Sequence, residues 1–461
     1  SDAHRLELLA YGSDDRVQVV FDENEPQGNT EARLTGVNFG NSVYRGQLRW
    51  TWRPEGPVQN TMMASYGVNS TRLRVADNLF FDGSFYQLQV RDDFEWKIAS
   101  NLTLNAGADI QAGTTRYSFE FPRLRDSTDQ NPDGQGGGRP NLSPQGAVGT
   151  RSSPLIRPAG YVEVSYRPVE NLELIPGLRF DYYGDVEQAS VSPRGKVRYE
   201  ISDEWTAKAG VGLFTQPPLP NETEPQFGNP GLTFEKAIHY SAGAVWEPLP
   251  FLELDATLYY RDLNDLVQQT LDRQRDPETG ELENEIYDNS GRGRSYGLEL
   301  LVRHKPANRF FGWVAYTLSR SERWDRRAGE YVPFQYDQTH NLTAVAGYEL
   351  PKNWSVSGRF RLVTGNPYTP VVGGVYNADL GKYEKVFGRR NSRRTATFDQ
   401  LDLRIDKKWV FDRWELGAYL DVINVYNAKN QEGVQYNFDF SERAPIRGLP
   451  LIPTLGLTGR Y

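Results

Sequence analysis

The sequence predicts an all-β chain, a transmembrane antiparallel up-and-down β-barrel with about eighteen strands on this polypeptide. Three observations carry that expectation. Apolar and polar residues alternate in segment after segment. The connections between segments alternate short and long. Nine of the ten tryptophans stand within a few residues of a short connection.

The hairpin at 342–362 shows the alternation best. Trp354, Val356, Phe360 and Leu362 share one face, while Ser355, Ser357, Arg359 and Arg361 share the other. Period-2 alternation means a strand with a different environment on each side. A soluble sandwich would bury the apolar face against a second sheet; a membrane barrel gives it to lipid and keeps the polar face wet. The mean hydropathy of -0.64 and the lack of any run near the ~18–20 apolar residues of a membrane helix exclude a helical membrane protein only.

In chain order the segments are 4–12, 43–53, 59–67, 84–97, 101–121, 157–168, 171–183, 189–201 and 203–215. They continue at 234–247, 250–268, 292–305, 309–320, 337–350, 352–364, 396–409, 412–427 and 453–461. Leu252, Leu254, Ala256 and Leu258 oppose Glu253, Asp255 and Thr257, and Leu298, Leu300 and Val302 oppose Glu299 and Arg303. Short connections such as SDE, EPLP, KPAN and PKN carry turn chemistry. Long ones lie at 13–42, 68–83, 122–156, 216–233, 269–291, 321–336, 365–395 and 428–452, with 184–188 a brief exception in a long slot. Short turns on one rim and long loops on the other is the periplasmic-to-extracellular asymmetry of outer-membrane barrels. Trp52, Trp96, Trp205, Trp246, Trp354, Trp409 and Trp414 are then expected to form an interfacial girdle at the short-turn rim. The last strand places Leu455, Leu457 and Tyr461 on one face, the pattern expected of a strand that the barrel-assembly machinery reads.

Composition narrows the partners. A formal charge of -8 with the signs intermixed leaves no basic stripe for nucleic acid, and the absence of cysteine removes disulfides and thiolate metal sites. An exported precursor would have shed its leader before Ser1. No cofactor is implied, and no catalytic constellation stands out, since His4, His239, His304 and His340 are scattered. Asp129, Asn131 and Asp133 alternate as in an oxygen-ligand calcium loop, but Pro140 stands where a closing Glu is needed, so a solvated loop is favoured over a metal site. Arg389, Arg390, Arg393 and Arg394 form a cationic run that could hold an anionic ligand or lipopolysaccharide phosphates; the plainer expectation is a loop held by neighbouring acids. Tyr331 and Tyr336 could stack on a ligand, or serve as interface aromatics. Arg359, Arg361, Asp402, Arg404 and Asp406 are expected to pair across strands.

Several stretches then resemble the barrel of TonB-dependent outer-membrane receptors: GNPGLTFEKAIHYSAGAVWEP (228–248), SGRGRSYGLELLVRHKP (290–306), and FQYDQTHNLTAVAGYELPKNWSVSGRFRLVTGNPYTPV (334–371). FDQLDLRIDKKWVF (398–411) and DVINVYNAKN (421–430) complete the set, which spans roughly 160–461. The resemblance implies a barrel of about twenty-two strands closed by a plug. The plug and the first strands are not recognisable here, so they are expected on another chain or removed. It also implies uptake of a scarce nutrient (siderophore, carbohydrate or peptide) driven through TonB, in the outer membrane of a Gram-negative cell. Outer-membrane lipid, the plug half, TonB and other outer-membrane proteins are the implied partners. A complete eighteen-stranded passive porin, or a surface barrel that scaffolds other proteins, are the alternatives.

Overall fold

The computed structural model describes residues 3–20, 36–75, 79–121, 147–219, 222–223, 228–269, 273–275, 282–284, 287–378 and 382–461. The calcium-loop candidates Asp129, Asn131 and Asp133 lie outside them. Eighteen strands of nine residues or more are present among the described residues. They are β1 (His4–Val20), β2 (Gly36–Trp52), β3 (Val58–Val75), β4 (Leu79–Ala99), β5 (Leu102–Phe121), β6 (Ala147–Val169), β7 (Leu172–Tyr183), β8 (Gln188–Glu200) and β9 (Trp205–Gln216). There follow β10 (Glu235–Leu249), β11 (Leu252–Gln268), β12 (Asp288–Ala307), β13 (Phe310–Asp325), β14 (His340–Leu350), β15 (Trp354–Val363), β16 (Phe398–Val410), β17 (Glu415–Ile423) and β18 (Ile452–Arg460). The chain divides into two compact units, one of residues 1–197, 212–237 and 264–291, the other of 198–211, 238–263 and 292–461.

In the first unit β1 to β7 form an antiparallel meander in which each strand pairs with the next. These hairpins are taller than the alternation suggests. β1 and β2 stay paired from His4–Trp52 to Val20–Gly36, so the expected 13–42 connection is mostly ladder. The 68–83 connection is absorbed likewise, and β6 begins at Ala147 rather than 157. The reason is physical. Where both faces meet water the hydrophobic period fades, yet backbone pairing and polar cross-strand contacts continue. Ser70 and Ser84 share a hydrogen bond of 2.9 Å, Thr71 donates to Asn41 at 3.2 Å, and Arg72 pairs with Asp82 at 2.9 Å. The brief 184–187 connection is a tight turn, closed by Gly184 N donating to Ile156 O.

In the second unit β12 to β18 pair in chain order, again antiparallel. Asn308 and Arg309 join β12 to β13 with φ of 52° and 65°, the left-handed pair of a two-residue type I′ turn. Here the strands are short and the long connections fold into ribbons of their own. Glu330–Pro333 folds back on β13, Val371–Asn377 pairs with Lys382–Phe387, and Gln431–Tyr436 pairs with Arg443–Arg447.

Register keeps the apolar residues together across strands. Leu298 faces Leu318, Leu300 faces Tyr316, and Val302 faces Val314. Prolines aside, only seven apolar side chains are buried among the described residues, while dozens of large ones, Leu258 and Leu300 among them, stay exposed. That is not the dry core a sandwich would need.

Candidate functional site

The long-connection end of the second unit gathers most of the residues singled out for ligand contact. Asp337, which precedes β14, is 1% exposed. Its carboxylate accepts from the backbone N–H of Ser321 and from the Arg394 guanidinium, with Arg320 at 3.8 Å. Arg394 also donates to Asp337 O and Gly365 O, which ties the 365–395 loop to the foot of β14. Arg389 pairs with Glu330, and Arg390 lies 3.6 Å from Asp325. Asn391 donates to Pro333 O at 2.8 Å while its own N–H donates to Thr369 Oγ1 at 3.0 Å. Three of the four arginines are therefore taken up by acids that pin one loop to another, and Arg393 alone of the run is exposed without an ion pair among the described residues.

The tyrosines separate in the same way. Tyr331 packs edge-on against Trp324 at 5.2 Å, with the Arg294 guanidinium 4.2 Å from its ring. Tyr336 is 58% exposed and leans on Phe334, which in turn lies under Arg323 at 4.0 Å. Sequence reasoning missed a second aromatic group on the two ribbons. Tyr376 meets Tyr383 at 5.2 Å, Tyr383 meets Phe438 at 5.9 Å, and Lys385 lies 5.9 Å from the Phe440 ring. Val371 N donates to Tyr436 Oη and Arg443 donates to Tyr368 Oη, so the ribbons hold each other. Tyr376 and Phe438 remain mostly exposed. The available signal was the clustering of aromatics in two long connections; which of them converge depends on ribbon register.

The resembling motifs supply the braces beneath these loops. Asn424, 1% exposed at φ 56°, donates to Ala428 O and Leu449 O, accepts from Ala428 N–H, and donates its own N–H to Asp402. Asn430 donates to Asp399 O. Tyr426 donates to Asp399 at 2.6 Å; burial first, then that carboxylate, pushes its phenol up to about 12. In the first unit Asn229 donates to Tyr287 O, Asn289 donates to Thr233 O and Asp265 O, and Leu232 is 1% exposed. Burial, then repulsion from Glu235, raises the Glu222 carboxyl against the Leu219 N–H bond that lowers it. These motif residues are fasteners of loop to strand.

On the polar face of the second unit Arg359 pairs across strands with Asp402 at 2.6 Å, as expected, but Arg404 pairs along its own strand with Asp406 at 2.7 Å. Residues i and i+2 share a face, and the Tyr419 ring 3.8 Å from Arg404 occupies the cross-strand side. Arg361 lies over Phe398 at 5.4 Å. At the short-turn ends Trp205 stacks on Trp246 at 5.3 Å and Trp414 on Phe411 at 4.6 Å, while Lys407 lies near both Trp354 and Trp409. Trp96 opposes Val58 and Trp52 opposes His4 in register. Leu455, Leu457 and Tyr461 are exposed along and just beyond β18. No cluster of three metal-ligating side chains occurs among the described residues.

Residues 2–427 match the family model described as TonB dependent receptor-like, beta-barrel. The solved structures that resemble the chain include the ferric-catecholate import receptor Fiu of E. coli in its closed form (14% identity, TM-score 0.68, 99% of this chain and 72% of that one). Others are the unliganded ferric citrate transporter FecA (13%, 0.65, 100% and 68%) and FpvA of P. aeruginosa bound to heterologous pyoverdines (13%, 0.67, 100% and 63%). At these identities the likeness is one of fold. No curated protein matches the chain by sequence.

Proposed function

The chain belongs to the TonB-dependent receptor-like β-barrel family, and from that premise we propose that it is the barrel portion of an outer-membrane active transporter for a scarce nutrient. The apolar strand faces meet lipid, the polar faces line the passage, and the long connections stand outside the cell. A plug and TonB, which the family's mechanism requires, are its proposed partners. The observation that carries this reading is the platform at the long-connection end. Buried Asp337 and Asn391 tie its long connections to one another, and Arg393, Tyr336, Tyr376 and Phe438, carried on those connections, stay exposed. Ring faces and one uncommitted guanidinium suit a ligand with planar and anionic parts; the similar FpvA structure holds a pyoverdine–iron complex. Such a ligand must compete with no existing ion pair at Arg393, whereas Arg389, Arg390 and Arg394 would first have to surrender theirs.

The test is growth on limiting iron with a panel of ferric siderophores, in a Gram-negative host carrying the full-length protein, with and without TonB. Uptake that needs both the protein and TonB, and falls on the order of tenfold in Arg393→Gln/Tyr376→Ala, is expected; tenfold is about 1.4 kcal/mol of binding. Uptake indifferent to TonB, with a steady conductance in planar bilayers, would mark a passive pore and end this reading.

A further inference from the structure

The apolar face of β10 to β13 carries a cavity of about 1010 Å³ that the transport reading does not use. Ala242, Leu258, Leu298 and Leu318 form its walls. At its upper end the rings of Tyr240, Tyr260 and Tyr296 follow one another at 6.4 and 6.3 Å across three strands. Arg320 stands opposite Tyr296 at the edge of this layer, and Arg294, opposite Glu322, stands one same-face step above it. The order along the wall is thus aliphatic, then phenolic, then cationic.

We propose that this cavity is a specific site for a phosphorylated lipid of the outer leaflet, with an acyl chain in the groove and the phosphate on the arginines. The inference rests on the membrane-spanning reading above, because it needs this face to meet lipid. Tyrosine favours the headgroup level, with its ring in the apolar layer and its hydroxyl in water. At ~3.3 Å per residue and a tilt near ~40°, the six residues from Val302 to Tyr296 climb roughly 15 Å, and Arg294 roughly 20 Å, about the reach from the lower band to the outer headgroups.

The charges favour an anion. Arg292, Arg294 and Arg320 share the face, against Glu322 and, by alternation from Tyr260, Asp262. Arg320 is already held by Glu322 at 3.0 Å and lies 3.8 Å from Asp337, so the anion falls to Arg292 and Arg294. Arg292 is exposed and makes no ion pair among the described residues. Arg294 gives only Nε to Glu322, at 2.7 Å, which leaves its two terminal amino groups available in a guanidinium already oriented by the Tyr331 ring. A zwitterionic headgroup, whose single phosphate is already balanced by its own ammonium, would gain less from them. Guanidinium groups favour phosphate because two parallel N–H donors match two oxygens.

The test uses the full-length protein in neutral detergent, titrated with bis-phosphorylated lipid A or with phosphatidylcholine and read by native mass spectrometry. One tightly held lipid A per protein is expected, with phosphatidylcholine at least tenfold weaker. Arg292→Gln/Arg294→Gln should weaken lipid A on the order of tenfold and phosphatidylcholine by much less. Because that double variant leaves Glu322 with one partner fewer, Ala242→Trp is the second probe: it fills the groove, touches no charge, and should abolish the tight lipid. Equal binding of both lipids, or lipid A unaffected by either variant, overturns the site while transport by the same protein stands. A protein that stays monodisperse without detergent and binds neither lipid overturns the membrane reading as well.

Discussion

The tall hairpins of the first unit and the pinned loops of the second answer the same need differently. Beyond the apolar band, backbone N–H and C=O groups still require partners. β2 to β6 supply them by staying paired for 17 to 23 residues each, with exposed side-chain contacts such as Arg72–Asp82 spread along the ladder. β14 to β18 stop after 9 to 13 residues, and the chain above them depends on a few buried polar groups: Asp337, Asn391 and Asn424. Stability is distributed in the first case and concentrated in the second. Single substitutions should expose that difference.

The largest effect is expected at Asp337. Asp337→Ala leaves Arg394 partly buried without its carboxylate and the Ser321 N–H without an acceptor. Breaking a buried pair from one side costs about 3–5 kcal/mol. That should free the 365–395 loop, so trypsin ought to cut at Arg389, Arg390, Arg393 or Arg394 far faster than in the unaltered protein. The strands should hold, which the heat-dependent shift of the folded band on SDS gels would report. A loop as resistant as before would mean that Asp337 does not hold it.

Asn424 comes next. Asn424→Gly keeps the left-handed backbone but loses three side-chain hydrogen bonds, for a cost of about 2–3 kcal/mol at roughly 1 kcal/mol each. Asn424→Ala adds about 1–2 kcal/mol because φ is 56°. Hydrogen exchange in 424–451 should therefore rank Ala above Gly above the unaltered chain. An inverted order would refute the backbone part of this account.

How much of this was legible beforehand follows the same division. Alternation reports a difference between two faces, so it marked the segments that separate lipid from water and the two-residue turn at Asn308–Arg309 came out near its expected place. It could not see the ladder of 14–20 with 36–42, where Asp14, Asp15 and Arg16 are as wet as their neighbours. The stretches that carry the resemblance contain Asp337 and Asn424 but do not single them out or say what they do. The arginine run was visible, but its acids come from 325–337, far off in sequence, so only the fold could show that Arg393 alone remains uncommitted. Tyr376 and Phe438 meet through Tyr383 by ribbon register, which composition does not encode.

A pH effect of intermediate size tests the one tight turn in a long slot. Arg157 holds Asp185 through two charge-assisted bonds, at 2.9 and 2.5 Å. Burial pushes the Asp185 carboxyl up, but the bond from Arg157 and its charge outweigh this and leave it below the ordinary carboxylate value. A carboxyl with a lowered folded pKa contributes stability above its unfolded value of ~3.9, and that contribution disappears as pH falls through the folded one. Protection of the Gly184 amide, which donates to Ile156 O, taken relative to the intrinsic exchange rate at each pH, should fall only below about pH 4. In Asp185→Asn that protection should be low and flat across the range. If the two proteins keep parallel profiles, the turn does not depend on the ion pair.

The smallest effect is the most telling for the comparison. Arg72 and Asp82 are both more than a third exposed, and Arg74 lies 3.7 Å from the same carboxylate. An exposed pair contributes about 0–1 kcal/mol, and here a second cation stands ready to replace the first. The backbone register on either side, Thr71 with Gly83 and Leu73 with Phe81, does not depend on it. Arg72→Ala should therefore leave exchange in the upper parts of β3 and β4 within a factor of about five of the unaltered protein, the equivalent of about 1 kcal/mol. Fraying of the whole hairpin down to the apolar band would show that these extensions also hang on single side chains. In that event the contrast with the Asp337 and Asn424 loops would be one of position in the chain and not of mechanism.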